Sequence, residues 1–237
     1  IMAYTDIDDP TLYFSTTLWT GNGSDDRDIV VAGTGMQPDW VWIKDRDNVR
    51  DHQLFDSVRG VGKILLSNST AAEGDDNNRL SAFNSNGFSV GTNTTVNDNS
   101  QKYVAWNWKA GTSFTNDASS TSVGSIDSAG SVSTTAGFAI ISYTGTGSAE
   151  TIAHGLGATP GLIITKKRNT TDSWFFWNKS FSATQYLSMD TTNAVGTAST
   201  VFGTLPTSTV YSTGGGSGTG ASGHTYISYL FAEKQGY

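Results

Sequence analysis

The sequence predicts an all-β protein built from two tandem antiparallel β-sandwich modules of jelly-roll-like form. Three observations predict it. First, the chain repeats itself: Trp19-Thr20-Gly21-Asn22-Gly23-Ser24 is echoed by Tyr143-Thr144-Gly145-Thr146-Gly147-Ser148, and from Gly21 to Tyr103 is 82 positions against 81 from Gly145 to Tyr226. Shared order and near-equal spacing mean one structural unit used twice. Second, the apolar period is two rather than 3.6, as in Trp40-Val41-Trp42-Ile43 and Tyr103-Val104-Ala105-Trp106-Asn107-Trp108. Third, turn-forming residues separate short apolar runs throughout, and no stretch of a dozen residues keeps a helical stripe.

Each element follows in order. Residues 1–14, with Asp6, Asp8, Asp9 and Pro10, read as a lead-in arm, and the first module runs from 15 to 111. Its proline-started run, Pro38-Asp39-Trp40-Val41-Trp42-Ile43-Lys44-Asp45-Arg46, suits a strand buried on both faces. Asn84-Ser85-Asn86-Gly87, between Leu80–Phe83 and Phe88–Val90, predicts a tight hairpin, because Asn-Gly tolerates positive φ. Residues 112–136, dominated by Ser, Thr, Gly and Ala, read as a flexible linker. The second module, 137–237, repeats the pattern with Phe138–Tyr143, Pro160-Gly161-Leu162-Ile163-Ile164-Thr165-Lys166-Lys167-Arg168 and Tyr226–Phe231. The alternative is one larger sandwich holding both repeats.

Composition narrows the function classes. Hydrophobic content of 36% and charge of 15% are both low, and 27 glycines with abundant Ser, Thr and Asn make up the difference. Disorder is not implied, because 7 Trp, 9 Tyr and 11 Phe supply cores. A net charge of −7 argues against nucleic acid as a partner, which requires basic surface; Lys166-Lys167-Arg168 reads as a strand end. Without cysteine there are neither disulfides nor thiolate metal sites. No run is apolar enough to insert in a membrane. The first residues carry neither a basic region nor an apolar stretch, so no signal peptide is expected.

Candidate sites are few. His52, His154 and His224 show no metal-ligand spacing, and His154-Gly155-Leu156-Gly157 reads as a turn with a surface histidine, because a catalytic base needs an orienting partner and a nucleophile nearby. No cofactor is required by any motif. Calcium is the one ion to consider, with Asp75 and Asp76 as ligands in an Asp/Asn-rich turn. Gly214–Gly220 lacks the helix and lysine of a phosphate cradle and reads as a flexible loop. Asp56 with Glu73, or Asp172 with Glu150, are the carboxylate pairs a glycan-degrading enzyme would need, though neither pair recurs in both modules. The aromatics carry the strongest functional suggestion: Trp174, Trp177, Trp106 and Trp108 offer apolar faces with polar edges, suited to sugar rings or protein partners.

Several motifs together carry a family resemblance. Asp8-Asp9-Pro10, the Trp-Thr-Gly-Asn-Gly-Ser motif, Pro38 to Lys44, Leu54-Phe55-Asp56-Ser57-Val58-Arg59-Gly60, Tyr103 to Gly111 and Phe231-Ala232-Glu233-Lys234-Gln235-Gly236-Tyr237 resemble uncharacterised virion or tail-associated proteins of tailed bacteriophages. The resemblance spans nearly the whole chain and brings no active site with it. It implies a non-enzymatic virion component released by lysis, a tail fibre or other appendage that contacts host-surface glycan. It also implies assembly with other virion proteins and with copies of itself, a trimer being usual for a fibre. A purely structural decoration or fibre-shaft module is the alternative, and a glycan-degrading tail enzyme the third reading.

Overall fold

Alternation of inward and outward residues builds each strand of the first module, and the turns between them fix which strands meet. In the computed structural model, which describes residues 5–33 and 35–236, the strands are β1 (Phe14–Thr20), β2 (Arg27–Val30), β3 (Trp40–Asp45), β4 (Gln53–Asp56), β5 (Lys63–Leu66), β6 (Gly74–Asp75), β7 (Leu80–Asn84), β8 (Gly87–Val90) and β9 (Lys102–Trp108). The first four residues of the expected lead-in arm, Thr34 and Tyr237 lie outside the described residues. A single-turn helix, α1 (Thr94–Asn97), precedes β9. The large sheet runs β1-β9-β3-β4-β5-β6 and the small one β2-β8-β7, with every strand pair antiparallel. Trp19, Val41, Ile43, Phe55 and Tyr103 from the large sheet enclose a core with Ile29, Leu80, Phe88 and Val90 from the small one.

The second module repeats the plan. Its strands are β10 (Thr112–Asn116), β11 (Ser128–Ser133), β12 (Phe138–Thr144), β13 (Glu150–Ala153), β14 (Pro160–Lys167), β15 (Trp174–Asn178), β16 (Gln185–Ser188), β17 (Gly196–Thr197), β18 (Val210–Thr213) and β19 (Thr225–Ala232). The order β12-β19-β14-β15-β16-β17 matches β1-β9-β3-β4-β5-β6 strand for strand, and β13-β18 forms the facing layer. Its core is separate, with Ile141, Tyr143, Ile163, Trp177, Tyr211, Tyr226 and Leu230. Two distinct cores decide between the two expected architectures in favour of two sandwiches rather than one.

The domain limits differ from expectation at the linker. Residues 112–136 are not a flexible connector: β10 and β11 pair with each other, and β11 pairs with β12, so they extend the second large sheet to eight strands. A short helix, α2 (Ala118–Thr121), joins them, capped by Asp117. Small polar residues here allow a flat hairpin close against β12, a role that composition does not separate from a linker. The first compact unit therefore takes the chain to Gly111 apart from Thr70–Ala72, together with Gln235 and Gly236; the second takes Thr70–Ala72 and Thr112–Lys234.

The duplicated motif has one physical cause in both modules. Trp19 stacks on Tyr103 at 5.3 Å, and Tyr143 stacks on Tyr226 at 5.1 Å. The Tyr103 hydroxyl accepts from the Asp98 N–H (2.8 Å) and donates to the Thr94 carbonyl (2.7 Å). The Tyr226 hydroxyl accepts from the Ala221 N–H (2.9 Å) and donates to the Ser217 carbonyl (3.0 Å), at the same offsets of five and nine residues. The Trp19 indole donates to Val96 O and the Tyr143 hydroxyl to Thr219 O, each seven residues before the tyrosine. The crossing segment presses on the motif's first glycine: a Cβ on Gly21 would lie 1.9 Å from Asp98 O, and one on Gly145 would lie 2.5 Å from Ala221 O. Gly214–Gly220 belongs to this lid, and it is closely packed rather than flexible, since a Cβ on Gly218 would enter the Phe175 ring.

The hairpin at 84–87 forms as expected, but its Asn-Gly pair is there for another reason. Gly87 lacks positive φ; a side chain there would collide with Ile29 O of β2.

If the lock carries the fold, Gly21→Ala and Gly145→Ala each destabilise the chain by about 2–3 kcal/mol through forced backbone displacement. Tyr103→Phe and Tyr226→Phe each cost about 1 kcal/mol by removing the hydroxyl's two hydrogen bonds to the crossing segment. Urea unfolding of the four variants checks this; matched losses in the two modules are the expected outcome.

Candidate functional site

The outward face of the first large sheet carries the rings that the inward face has no room for. On β3 and β9 these are Trp40, Trp42, Trp106 and Trp108, in register as Trp40 with Trp108 and Trp42 with Trp106. Trp108 is half-buried, with Phe14 at 5.0 Å and Trp40 at 4.5 Å. Trp42 and Trp106 are also half-buried and meet edge to face at 6.2 Å. Trp106, backed by Trp42, lines with the β3–β4 loop an open depression of about 780 Å³ that includes Lys44, Arg46, Val49, His52, Asn68 and Val104.

Asp45 builds that loop. Its carboxylate accepts the Asp47 and Asn48 N–H groups at 2.9 Å and pairs with Arg50 at 3.0 Å. Burial pushes its pKa up, but the hydrogen bonds from Asn48 and Asp47 and the Arg50 charge outweigh burial and hold it below the usual carboxylate range. Arg50 reaches on to Asp98 at 2.9 Å, so the loop is tied to the segment beneath the tyrosine lock. Lys44 is spent on the loop's own carbonyls, Asp45 O at 2.6 Å and Asn48 O at 3.2 Å. Arg46 is exposed, and Val49 stands fully in solvent at the tip.

Trp42 Nε1–H donates to His52 Nδ1 at 2.8 Å, and the two rings meet edge to face. An occupied Nδ1 places the neutral imidazole's proton on Nε2. Burial, then the Lys44 charge, lower the His52 pKa. Asn68, which accepts the His52 N–H at 3.1 Å and donates to Asp51 at 2.8 Å, adds a further amide. The chemistry on offer is thus one indole face, that of Trp106, bordered by N–H donors and the Arg46 guanidinium. That set recognises a ligand with an apolar face and hydroxyl or carbonyl acceptors.

The other aromatic candidates fall elsewhere. Trp174 is 0% exposed, stacked on Tyr229, and Trp177 is 3% exposed, donating its indole N–H to Ser182 O at 3.1 Å. Neither presents a ring to a ligand: the four consecutive aromatics of β15 fill both faces of a strand that is buried on both. Sequence reasoning missed Trp42 and His52. The available signal was that Trp42 and Trp106 fall on the same face of strands carrying the same repeat motifs.

Asp75 pairs with Lys63, and Asp76 with Arg79 at 3.1 Å and with the Asn93 amide at 2.8 Å. One oxygen of Asp75 and both of Asp76 are engaged by cations and N–H groups, and among the described residues no group of three His, Cys, Asp or Glu converges as metal ligands. Asp56 and Glu73 both hold the buried Arg59 guanidinium. Asp172 pairs with Lys167 at 2.6 Å, while Glu150 accepts the Ser125 and Thr146 hydroxyls, which lower its pKa. Lys166 is completely buried, donating to Thr70 O at 3.1 Å and Asp172 O at 2.8 Å; burial lowers its pKa to about 8. The basic cluster at 166–168 therefore lies largely inside its sheet.

His154 is buried, not at the surface. Its Nδ1 accepts the Leu156 N–H at 3.1 Å, and its Nε2 faces Thr207 O at 3.2 Å, so it is a neutral pin for the turn after β13.

These features define a class: an all-β protein of two duplicated antiparallel sandwiches with an aromatic surface depression on the first. The chain belongs to the family described as Domain of unknown function (DUF7483), whose model matches residues 9–237, both modules together. No curated protein and no solved structure matches the sequence. No helix among the described residues is long and apolar enough to cross a membrane.

Burial lowers the pKa of His154, and likewise of His52, below the 6.5 of an unfolded histidine. The unfolded chain thus takes up protons that the folded chain refuses, so their contribution is present above pH 6.5 and lost as pH falls towards the folded values. Urea unfolding at pH 7.5, 6.5 and 5.5 should show falling stability, with a flatter slope in His154→Gln.

Proposed function

We propose that the chain is a non-enzymatic virion component of the tailed-phage kind it resembles, an appendage that presents the Trp106 depression to a cell-surface glycan. One observation carries the reading: the only expected aromatic that the structure joins to other exposed polar groups is Trp106, set against Trp42 and bordered by His52, Asn68 and Arg46. Sugars present alternating C–H faces and hydroxyls, which an indole face and ring-edge N–H donors match. The duplicated sandwich supports a passive, load-bearing role, and the carboxylates that would serve a glycosidase are engaged with Arg59, Lys167 and hydroxyl donors. Weak single contacts of this type gain strength through repetition on an assembled appendage.

The test is binding of the labelled chain to bacteria, with and without periodate oxidation of surface glycans. Saturable binding, lost on oxidation and weakened about tenfold or more in Trp106→Ala, is expected. Binding to virion subunits but to no untreated cell would contradict glycan recognition and favour a decoration or shaft role.

A further inference from the structure

The two modules differ in how one equivalent edge is finished. β12 is covered by β11, whereas its counterpart β1 pairs, among the described residues, only with β9 and ends its sheet. The equivalence is residue by residue: Phe14 packs on Trp108 as Phe138 packs on Phe231, and Gly21 stands where Gly145 does. The bonds from Lys109 N–H to Tyr13 O and from Gly21 N–H to Gln101 O show that odd-numbered residues of β1 bond to β9. The N–H and C=O groups of Phe14, Thr16 and Leu18 therefore point to the open side. On β12 the corresponding groups of Phe138, Ile140 and Ser142 face β11, opposite Ser133, Ser131 and Ala129.

Exposed sheet edges are ordinarily guarded by charge, proline or a bulge. β1, Phe14-Ser15-Thr16-Thr17-Leu18-Trp19-Thr20, has none of these from Phe14 to Leu18: it carries no charged residue and no proline, and its register with β9 is unbroken. Charge reaches the edge only at its last residue, where the Arg27 guanidinium donates to Thr20 O. Leu18 on its outward face is 60% exposed, and Thr16 and Thr20 are exposed as well. The strand is also complementary to itself. Antiparallel pairing of two β1 strands about Thr16 sets Thr16 against Thr16 and Leu18 against Phe14 of the second copy, all on one face.

We infer that β1 is a dimerisation edge, joining two copies of this chain through a two-fold β1–β1 pairing that makes one continuous sheet of the two six-stranded sheets. The interface is closed, so assembly through it stops at two. Across the joined sheet, Trp106 of one copy and Trp106 of the other are three strand spacings apart, roughly 14 Å, and face the same side. The pairing itself does not depend on what Trp106 binds.

Sedimentation equilibrium of the full chain should give twice the 25.1 kDa monomer mass and nothing larger. Thr16→Pro removes an N–H that points away from β9, so it abolishes the dimer while circular dichroism and melting temperature stay those of the native chain. Leu18→Lys, on the solvent face, weakens dimerisation by tenfold or more and keeps the test decisive should Thr16→Pro unfold. A chain that stays monomeric at about 200 µM, well above a micromolar Kd, would overturn the proposal. So would a dimer that persists in Thr16→Pro, or a larger oligomer. Glycan binding by a monomer would leave the proposed function standing and sink only this one.

Discussion

One tyrosine hydroxyl in each module holds three pieces of chain together. Its ring lies on an interior strand of the large sheet and stacks on the aromatic near the end of the neighbouring strand, while the hydroxyl bridges an amide and a carbonyl of the segment crossing over it. A buried hydroxyl that both accepts and donates leaves no polar group of the crossing unpaired at that point. The crossing in turn runs so close to the Gly21 or Gly145 position that no side chain fits. Burial pushes the Tyr103 and Tyr226 pKa values up to about 12, so both hydroxyls stay donors well into alkaline pH. The Trp-Thr-Gly-x-Gly-Ser and Tyr-Thr-Gly-x-Gly-Ser motifs are thus one mechanical joint, written twice.

With the frame fixed twice over, the modules diverge in what they add to it. The first places paired tryptophans and a carboxylate-pinned loop on its outward face. The second buries a lysine at the matching strand position and extends its sheet by a hairpin. Lys44 and Lys166 show the divergence at a single site: both donate to backbone carbonyls of the following turn, but Lys44 keeps part of its surface in solvent and Lys166 none. Loop architecture in both cases combines side chain to backbone bonds with one ion pair, Asp45 with Arg50 and Asp172 with Lys167.

Much of this was legible in the sequence, for a physical reason. A repeat constrains order and spacing together, so all-β class, module count and the equivalence of Trp40–Asp45 to Pro160–Lys167 followed from period and punctuation. The exposure of individual rings did not follow. Trp174 and Trp106 occupy comparable alternating runs, and only the layer covering each strand decides that one is core and the other surface. The hairpin at 112–133 and the lid at 214–220 were misread for a related reason. Small residues give no apolar pattern, yet they permit the closest backbone approach, and composition cannot distinguish a chain that is loose from one that is packed too tightly for side chains. Likewise, His154 beside two glycines looks like surface until the Leu156 N–H and Thr207 carbonyl are seen to enclose it.

The most direct measurement of the central claim is native-state amide hydrogen exchange across the two joints. Although they lie in loops, the N–H groups of Asp98 and Gly23 in the first module, and of Ala221 and Gly147 in the second, donate to the Tyr103 hydroxyl, Asn97 O, the Tyr226 hydroxyl and Gly220 O. If the joints hold the sandwiches, these amides exchange only with global unfolding, as slowly as the central strands β9 and β19. Exchange at the rate of frayed loops, with β9 and β19 still protected, would show that the strands stand without the lock and would contradict the account.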